Sequence, residues 1–430
     1  MSRLPHSFRF ATRAEARPFW RVAFLSAIAV SSCAMADTPL LSLAEAVRLA
    51  ERQAPAIDAQ QAALEASLQA IVPAGQLPDP ELVAGIDNLP ITTGDAFDLT
   101  RDAMTMRKIG LMQTFTRREK REGRVRLAQA EAERQRALLT DEKLSVREAT
   151  AKAWIARWSA ERRLALLESL RPQARAQIAA ASAALVAGRG SAADALAAKS
   201  AAAQLEDRID QARQEADATR AGLARWLPEA VDRALGEPAQ WSDLGIDPHT
   251  IVEHADRHRE LLAFDAMEGA ADAEVDLARA EKRPDWSVEL AFAQRGPRYA
   301  NMVSVEVRVP LPLFPGSRQN PGIASKLAAA DRISAEREDA VRARKAELRT
   351  TLAEWRSALE REKRFQRELL PLAADREHAA LAAYRGGRGD LRAALDAFDD
   401  AINQRIAYTR LLDALGNAWA TLHFAFPRES

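Results

Sequence analysis

The chain has almost no cysteine: Cys33 is the only one in 430 residues, and it lies in a stretch that reads as an export signal. Without it, the chain has no disulfide, no thiol nucleophile and no cysteine metal ligand. Net charge is missing too, with 61 basic against 61 acidic side chains, which argues against a nucleic-acid binder. Glycine and proline are sparse, at 18 and 20. With Ala, Glu, Arg, Leu and Lys dominant, that composition fits long helices packed closely by small side chains. Beyond the N-terminus, no apolar run is long enough to cross a bilayer as a helix. No phosphate loop, Ser/His/Asp arrangement or pair of catalytic carboxylates emerges, so a non-enzyme without a cofactor is expected.

The N-terminus has the order of a signal peptide: Arg3, Arg9, Arg13, Arg17 and Arg21, then the apolar run Val22 to Val30, then Ala34-Met35-Ala36 before Asp37. Cleavage is predicted after Ala36, leaving a net charge of −4 because residues 1–36 hold five arginines and one glutamate. Cys33 can be read as a lipid-attachment site, but Val30-Ser31-Ser32 before it makes a poor lipobox.

From Trp286 to Leu311 the pattern changes to period 2. Trp286, Val288, Leu290 and Phe292 alternate with Ser287, Glu289, Ala291 and Ala293, and after Gln294-Arg295-Gly296-Pro297 the residues Val303, Val305, Val307 and Val309 alternate with Ser304, Glu306 and Arg308. Two strands with one apolar face form a hairpin. A soluble sandwich needs a partner sheet, and the rest of the chain is mostly helix. Apolar on one side and charged on the other, the hairpin fits a membrane barrel with lipid outside and water inside, where Glu289, Glu306 and Arg308 line the lumen.

The remaining chain falls into two copies of one order. In residues 37–235, Leu43 to Ile71 is a helix opened by Ser42, Leu82–Asn88 and Met104–Phe115 are strands, Thr116 to Val186 is a helix about 105 Å long, Gly188-Arg189-Gly190-Ser191 breaks it, and a shorter helix runs to Trp226. A connector spans 236–250. In residues 251–425, Ile251 to Ala280 is a helix, the strand pair 286–311 follows, Ile323 to Arg385 is a helix of about 95 Å, Gly386-Gly387-Arg388-Gly389-Asp390 breaks it, and a last helix ends near Phe424. Gly188 and Gly387, Pro172 and Pro371, and Leu196 and Leu395 all correspond at an offset of 199, the mark of an internal duplication. Two shorter helices stacked end to end match one long helix, so four columns are expected. Four strands cannot close a membrane barrel, since about eight is the minimum, so several chains must share one.

This order resembles the TolC-type outer-membrane efflux channels over nearly the whole chain. The likeness is carried by Leu43-Ala44-Glu45-Ala46, by Pro78-Asp79-Pro80, and by the two glycine turns with Asp194 in one and Tyr384 and Leu395 around the other. Val309-Pro310-Leu311-Pro312-Leu313-Phe314, Gln319-Asn320-Pro321-Gly322-Ile323, and Gln113-Thr114-Phe115 with the basic run Arg118 to Arg124 are similar to the heavy-metal cation efflux branch. The resemblance implies a homotrimer with a twelve-stranded barrel in outer-membrane lipid and a helical tunnel through the periplasm, met by a periplasmic adaptor and an inner-membrane RND-type pump. It makes Gly188, Arg189, Asp194, Tyr384, Gly387 and Arg388 the periplasmic tips, where the adaptor docks and the closed channel is held. Asp396 matches an inward acid of the family, while Ala393 stands where another is common.

Asp396, Asp399 and Asp400 share one helical face, which threefold symmetry would turn into acidic rings; a solvated helix face has the same pattern. His254 and His258, one helical turn apart, are weak candidates for a metal site. Three alternatives stay open: a drug-efflux channel, a type I secretion channel, and a periplasmic coiled-coil adaptor or scaffold.

Overall fold

Ser42 opens the first helix by accepting the Glu45 N–H at 3.2 Å, and Pro55 ends it by lacking an N–H to carry it on. In the computed structural model, which describes residues 40–92, 94–238 and 240–427, the expected single helix is therefore two, α1 (Leu43–Gln53) and α2 (Pro55–Ala74). The predicted signal segment 1–36, its cleavage point and Cys33 lie outside the described residues. β1 (Glu81–Asp87) and β2 (Met106–Phe115) follow, then α3 (Arg118–Ser169), α4 (Arg171–Val186) and α5 (Ala192–Ala224). The second half holds α6 (Leu262–Ala280), β3 (Trp286–Gln294), β4 (Met302–Arg308), α7 (Gln319–Arg364), α8 (Leu370–Arg385) and α9 (Leu391–His423). β4 stops short of Val309, which had been expected to continue it.

Both long columns are interrupted where the sequence predicted continuity. α3 gives way at Leu170, and α7 joins α8 through a π turn at Phe365–Leu369. The cause is the same in both: Pro172 and Pro371 lie in the first turns of α4 and α8, and neither can donate to the carbonyl four residues back.

Residues 251–261 were expected to be helical and are not. His258 is extended (φ −60°, ψ 139°) between two short 3-10 turns, and α6 begins only at Leu262. Here tertiary packing overrides helical periodicity: Trp241, Leu244, Ile251 and Ala255 are drawn into the main core with Leu41, Trp154, Trp355 and Trp419. Two matching bonds anchor this region, Trp154 Nε1 donating to the Leu41 carbonyl at 3.0 Å and Trp355 Nε1 to the Trp241 carbonyl at 2.9 Å. Around the core, α1, α2, α5 and α6 pack along α3, α6 also packs along α7, and α9 packs along both α7 and α3. Smaller apolar clusters continue toward the glycine turns, the last built from Ala181, Ala198, Leu391 and Leu395 with Tyr384 against it.

The four strands make one antiparallel sheet in the order β1-β2-β3-β4, so β1 and β4 are its edges. No described helix is long and apolar enough to cross a membrane.

Candidate functional site

The register of the sheet sorts its two faces. Leu82, Leu111, Leu290 and Val305 stand side by side across all four strands, and Ala84, Ile109, Phe292 and Val303 form the next row. Directly opposite residues project to the same side, so these rows share a face. It is exposed, Leu290 at 54% and Val305 at 68%. One end carries the stacked pair Phe115 and Trp286, with ring centroids 4.4 Å apart, and at the other Arg107 lies opposite Gln294. An apolar band ending in aromatics is what a lipid-facing barrel wall presents.

The opposite face is polar. Glu289, Ala291 and Ala293 are buried on it. The strands approach closely there: Gly110 lies opposite Ala291, and a Cβ added to it would come within 2.8 Å of the Ala291 Cβ. Glu289, 2% exposed, is held between Lys108 and Arg308, the latter through Nη2 at 2.8 Å, and Arg308 Nε reaches Glu306 at 2.5 Å. Glu289, Glu306 and Arg308 thus lie together on the polar face. Lys108 joins them although the sequence did not single it out.

The two glycine turns are built alike. Gly188 (φ 67°) and Gly387 (φ 70°) take the left-handed conformation that closes a helix C-terminus, and the two bonds of a Schellman motif follow in each: Gly188 N–H to Leu185 and Arg189 N–H to Ala184 in one, Gly387 N–H to Tyr384 and Arg388 N–H to Ala383 in the other. The next helix starts three residues on, at N-caps Ser191 and Asp390. Asp194 is engaged locally in a capping box, accepting from the Ser191 N–H at 2.9 Å and the Ser191 hydroxyl at 2.7 Å, and these bonds hold its carboxyl below the usual range. Tyr384 instead packs on the apolar cluster that joins the hairpins.

A link between hairpins runs through residues the sequence did not point to. Glu377 of α8, buried, accepts from Gln173 of α4 and lies 3.6 Å from Arg405 of α9. The partners are 204 positions apart in the first of these contacts, so no local pattern marks it.

The expected run of three acids is mostly neutralised. Asp399 pairs with Arg208 at 2.8 Å and Asp400 with Arg376 at 2.5 Å, which leaves Asp396 without an ion-pair partner among the described residues. Asp396 borders a groove of about 440 Å³ between α5 and α9 that also holds Asp194, Arg208 and Asp399.

His254 and His258 do not share a helical face. Nδ1 of His254 sits 3.0 Å from the Thr250 carbonyl, whereas His258 is buried edge-on to Phe426 and its Nδ1 accepts the Glu260 N–H at 3.3 Å. Burial, followed by the charges of Arg344 and Arg259, pushes the His258 pKa down to about 3. Among the described residues, no group of three His, Cys, Asp or Glu side chains is gathered as a metal site.

No protein-family profile matches the chain, and no curated protein does. Solved structures do. The outer-membrane channel OprN aligns at a TM-score of 0.75 and 18% identity over 90% of each chain. The outer membrane protein VceC of Vibrio cholerae aligns at 0.70 and 16%, over 89% of this chain and 95% of that one. CusC, a protein that forms a transmembrane channel, aligns at 0.65 and 14%, over 90% and 92%. At these identities the likeness speaks for architecture: the chain has the TolC-like fold, mainly helical with a small four-stranded antiparallel sheet, seen in these structures.

Proposed function

We propose that this protein is the outer-membrane channel of a tripartite efflux system, a passive conduit with no enzymatic activity of its own. The observation that carries the reading is the sheet. Its exposed face is apolar in continuous rows, its other face is charged, and β1 and β4 are its edge strands. Three copies joined β4 to β1 give a closed twelve-stranded barrel with no free edge, Glu289, Glu306, Lys108 and Arg308 on the lumen side and outer-membrane lipid outside. On this reading the two halves are copies of one duplicated unit, supported by the matched glycine turns, proline breaks and tryptophan anchors.

The helices then form the periplasmic tunnel, its far end at the turns around Gly188 and Gly387. There a periplasmic adaptor fed by an inner-membrane RND-type pump docks, and Asp396 is the acid that three symmetric copies bring to a constriction. Glu377 with Gln173 and Arg405 holds the hairpins of each protomer together in the closed state. Heavy-metal cations are the proposed cargo, on the strength of the segment Val309 to Ile323. Outer-membrane fractionation with heat-modified gel mobility tests the channel assignment: a chain found in the soluble periplasm, with unchanged mobility on heating, contradicts it. Metal and drug sensitivity of a deletion strain tests the cargo, and resistance to metals lost with drug resistance intact is the expected result.

A further inference from the structure

Of the basic run that opens α3, Lys120 pairs with Asp285 at 3.2 Å beside the start of β3, whereas Arg118 and Arg121 border a groove. Phe115 ends β2 where the apolar band closes on the Phe115–Trp286 stack, and α3 begins three residues later at Arg118. On the barrel reading, the first turns of α3 therefore lie at the level of lipid headgroups on the periplasmic side. Here the end of α2 and the start of α3 enclose a groove of about 590 Å³ lined by Gly75, Arg118, Arg121, Glu122, Val125 and Arg126.

Three guanidinium groups face one carboxylate in that groove. Glu122 pairs with Arg118 at 2.7 Å and Asp276 with Arg126 at 3.2 Å, but Arg121 has no carboxylate partner among the described residues. Its Nη1 donates to the Gly75 carbonyl at 3.3 Å, and its Nε is buried without an acceptor. A guanidinium with no carboxylate partner beside two further cations suits a phosphate, which accepts several charge-assisted bonds at once. Apolar surface adjoins the charge. Val72 and Leu77 are exposed at the end of α2, and Val125 lines the groove.

We infer that the groove between the end of α2 and the start of α3 binds the headgroup of an anionic glycerophospholipid, the phosphate held by Arg121 with Arg118 and Arg126, and the acyl chains lying along the apolar end of α2. A cationic pocket at a membrane surface beside exposed apolar residues selects such lipids over zwitterionic ones. The inference rests on the barrel reading, because only that reading places the groove at a headgroup layer.

Native mass spectrometry of the detergent-purified protein, titrated with phosphatidylglycerol or phosphatidylcholine, tests it. At least fivefold preferential retention of phosphatidylglycerol is expected in the wild type, lost in Arg118→Gln/Arg121→Gln. Because Arg121 also ties α3 to Gly75, the pair Arg118→Gln/Arg126→Gln leaves that bond in place and is expected to lose about half of the preference or more. Equal retention of the two lipids, or a preference unchanged in both variants, overturns the inference. So does occupancy by inorganic phosphate that displaces the lipid at millimolar concentration, since a free anion would then be the ligand. Outer-membrane location and heat-modified mobility, measured on the same preparations, report separately on the channel reading.

Discussion

Gln173 of α4 and Glu377 of α8 are hydrogen-bonded across the two helical hairpins of one chain, and Arg405 of α9 lies 3.6 Å from the same carboxylate. Glu377 is buried, so removing it takes the acceptor from Gln173 and the counter-charge from Arg405, and one hydrogen bond to a charged group is worth about 1.5–3 kcal/mol. Since about 1.4 kcal/mol is tenfold in an equilibrium, Glu377→Ala should raise the open probability of single channels in planar bilayers by about tenfold or more. Conductance traces identical to wild type would mean the link holds no gate.

Asp396 gives a different readout at the same end of the molecule. Asp396 is the acid of its face without an ion-pair partner among the described residues, so on the proposed trimeric arrangement it dominates the local field, whereas Asp399 and Asp400 are each met by an arginine. Asp396→Asn should lower cation preference and blockade by multivalent cations, while Asp400→Asn should change both much less. Reversal potentials in asymmetric salt separate the two, and equal effects would return Asp396 to a solvated surface role.

The lipid face is testable one residue at a time. Leu290→Arg or Val305→Arg should block insertion at a cost of about 2–4 kcal/mol each near the midplane, whereas Ser304→Arg, beside Val305 but on the polar side, should insert normally. Gly110→Val should also fail, by about 1–3 kcal/mol of overpacking, because its Cβ would crowd the Ala291 Cβ at 2.8 Å and the Leu290 carbonyl at 2.9 Å. The yield of heat-modifiable protein in outer membranes measures all four.

His258 sets a pH dependence away from the membrane. Its folded pKa lies near 3 and its unfolded value near 6.5, so the contribution is fully present above pH 6.5 and falls away as pH drops from 6.5 toward 3. Between pH 7 and pH 5 the loss amounts to about 2 kcal/mol at 1.36 kcal/mol per unit. His258→Phe should remove that part of the loss, leaving the helix-melting temperature less sensitive to acid by several degrees. The two cations that disfavour the charged ring are themselves ion-paired, Arg344 with Glu260 and Glu347, and Arg259 with Asp141 and Glu148.

How much of this could be read from sequence depends on the range of the interaction. The faces of β3 and β4 were legible because alternation is a local signal, and the register places Leu290 opposite Val305 and Glu289 opposite Glu306. The first hairpin was harder to read because Gly85, Gly110, Arg107 and Lys108 interrupt the alternation, and Gly110 and Lys108 are there for the close approach to Ala291 and the pairing with Glu289. Pro172 and Pro371 stood out as a repeat, yet not as the breaks they make in both long columns. Residues 251–261 misled because Ile251 and Ala255 keep helical spacing while burying themselves from turns. The bonds of Lys108 to Glu289 and of Gln173 to Glu377 have no local trace, since only the fold brings their partners together.

The claim on which the rest depends is that four strands per chain close a barrel only when chains combine. Light scattering of the detergent-purified protein, corrected for bound detergent, measures this directly. A stable mass of three chains is the predicted result, and a homogeneous monomer that still resides in the outer membrane would contradict it.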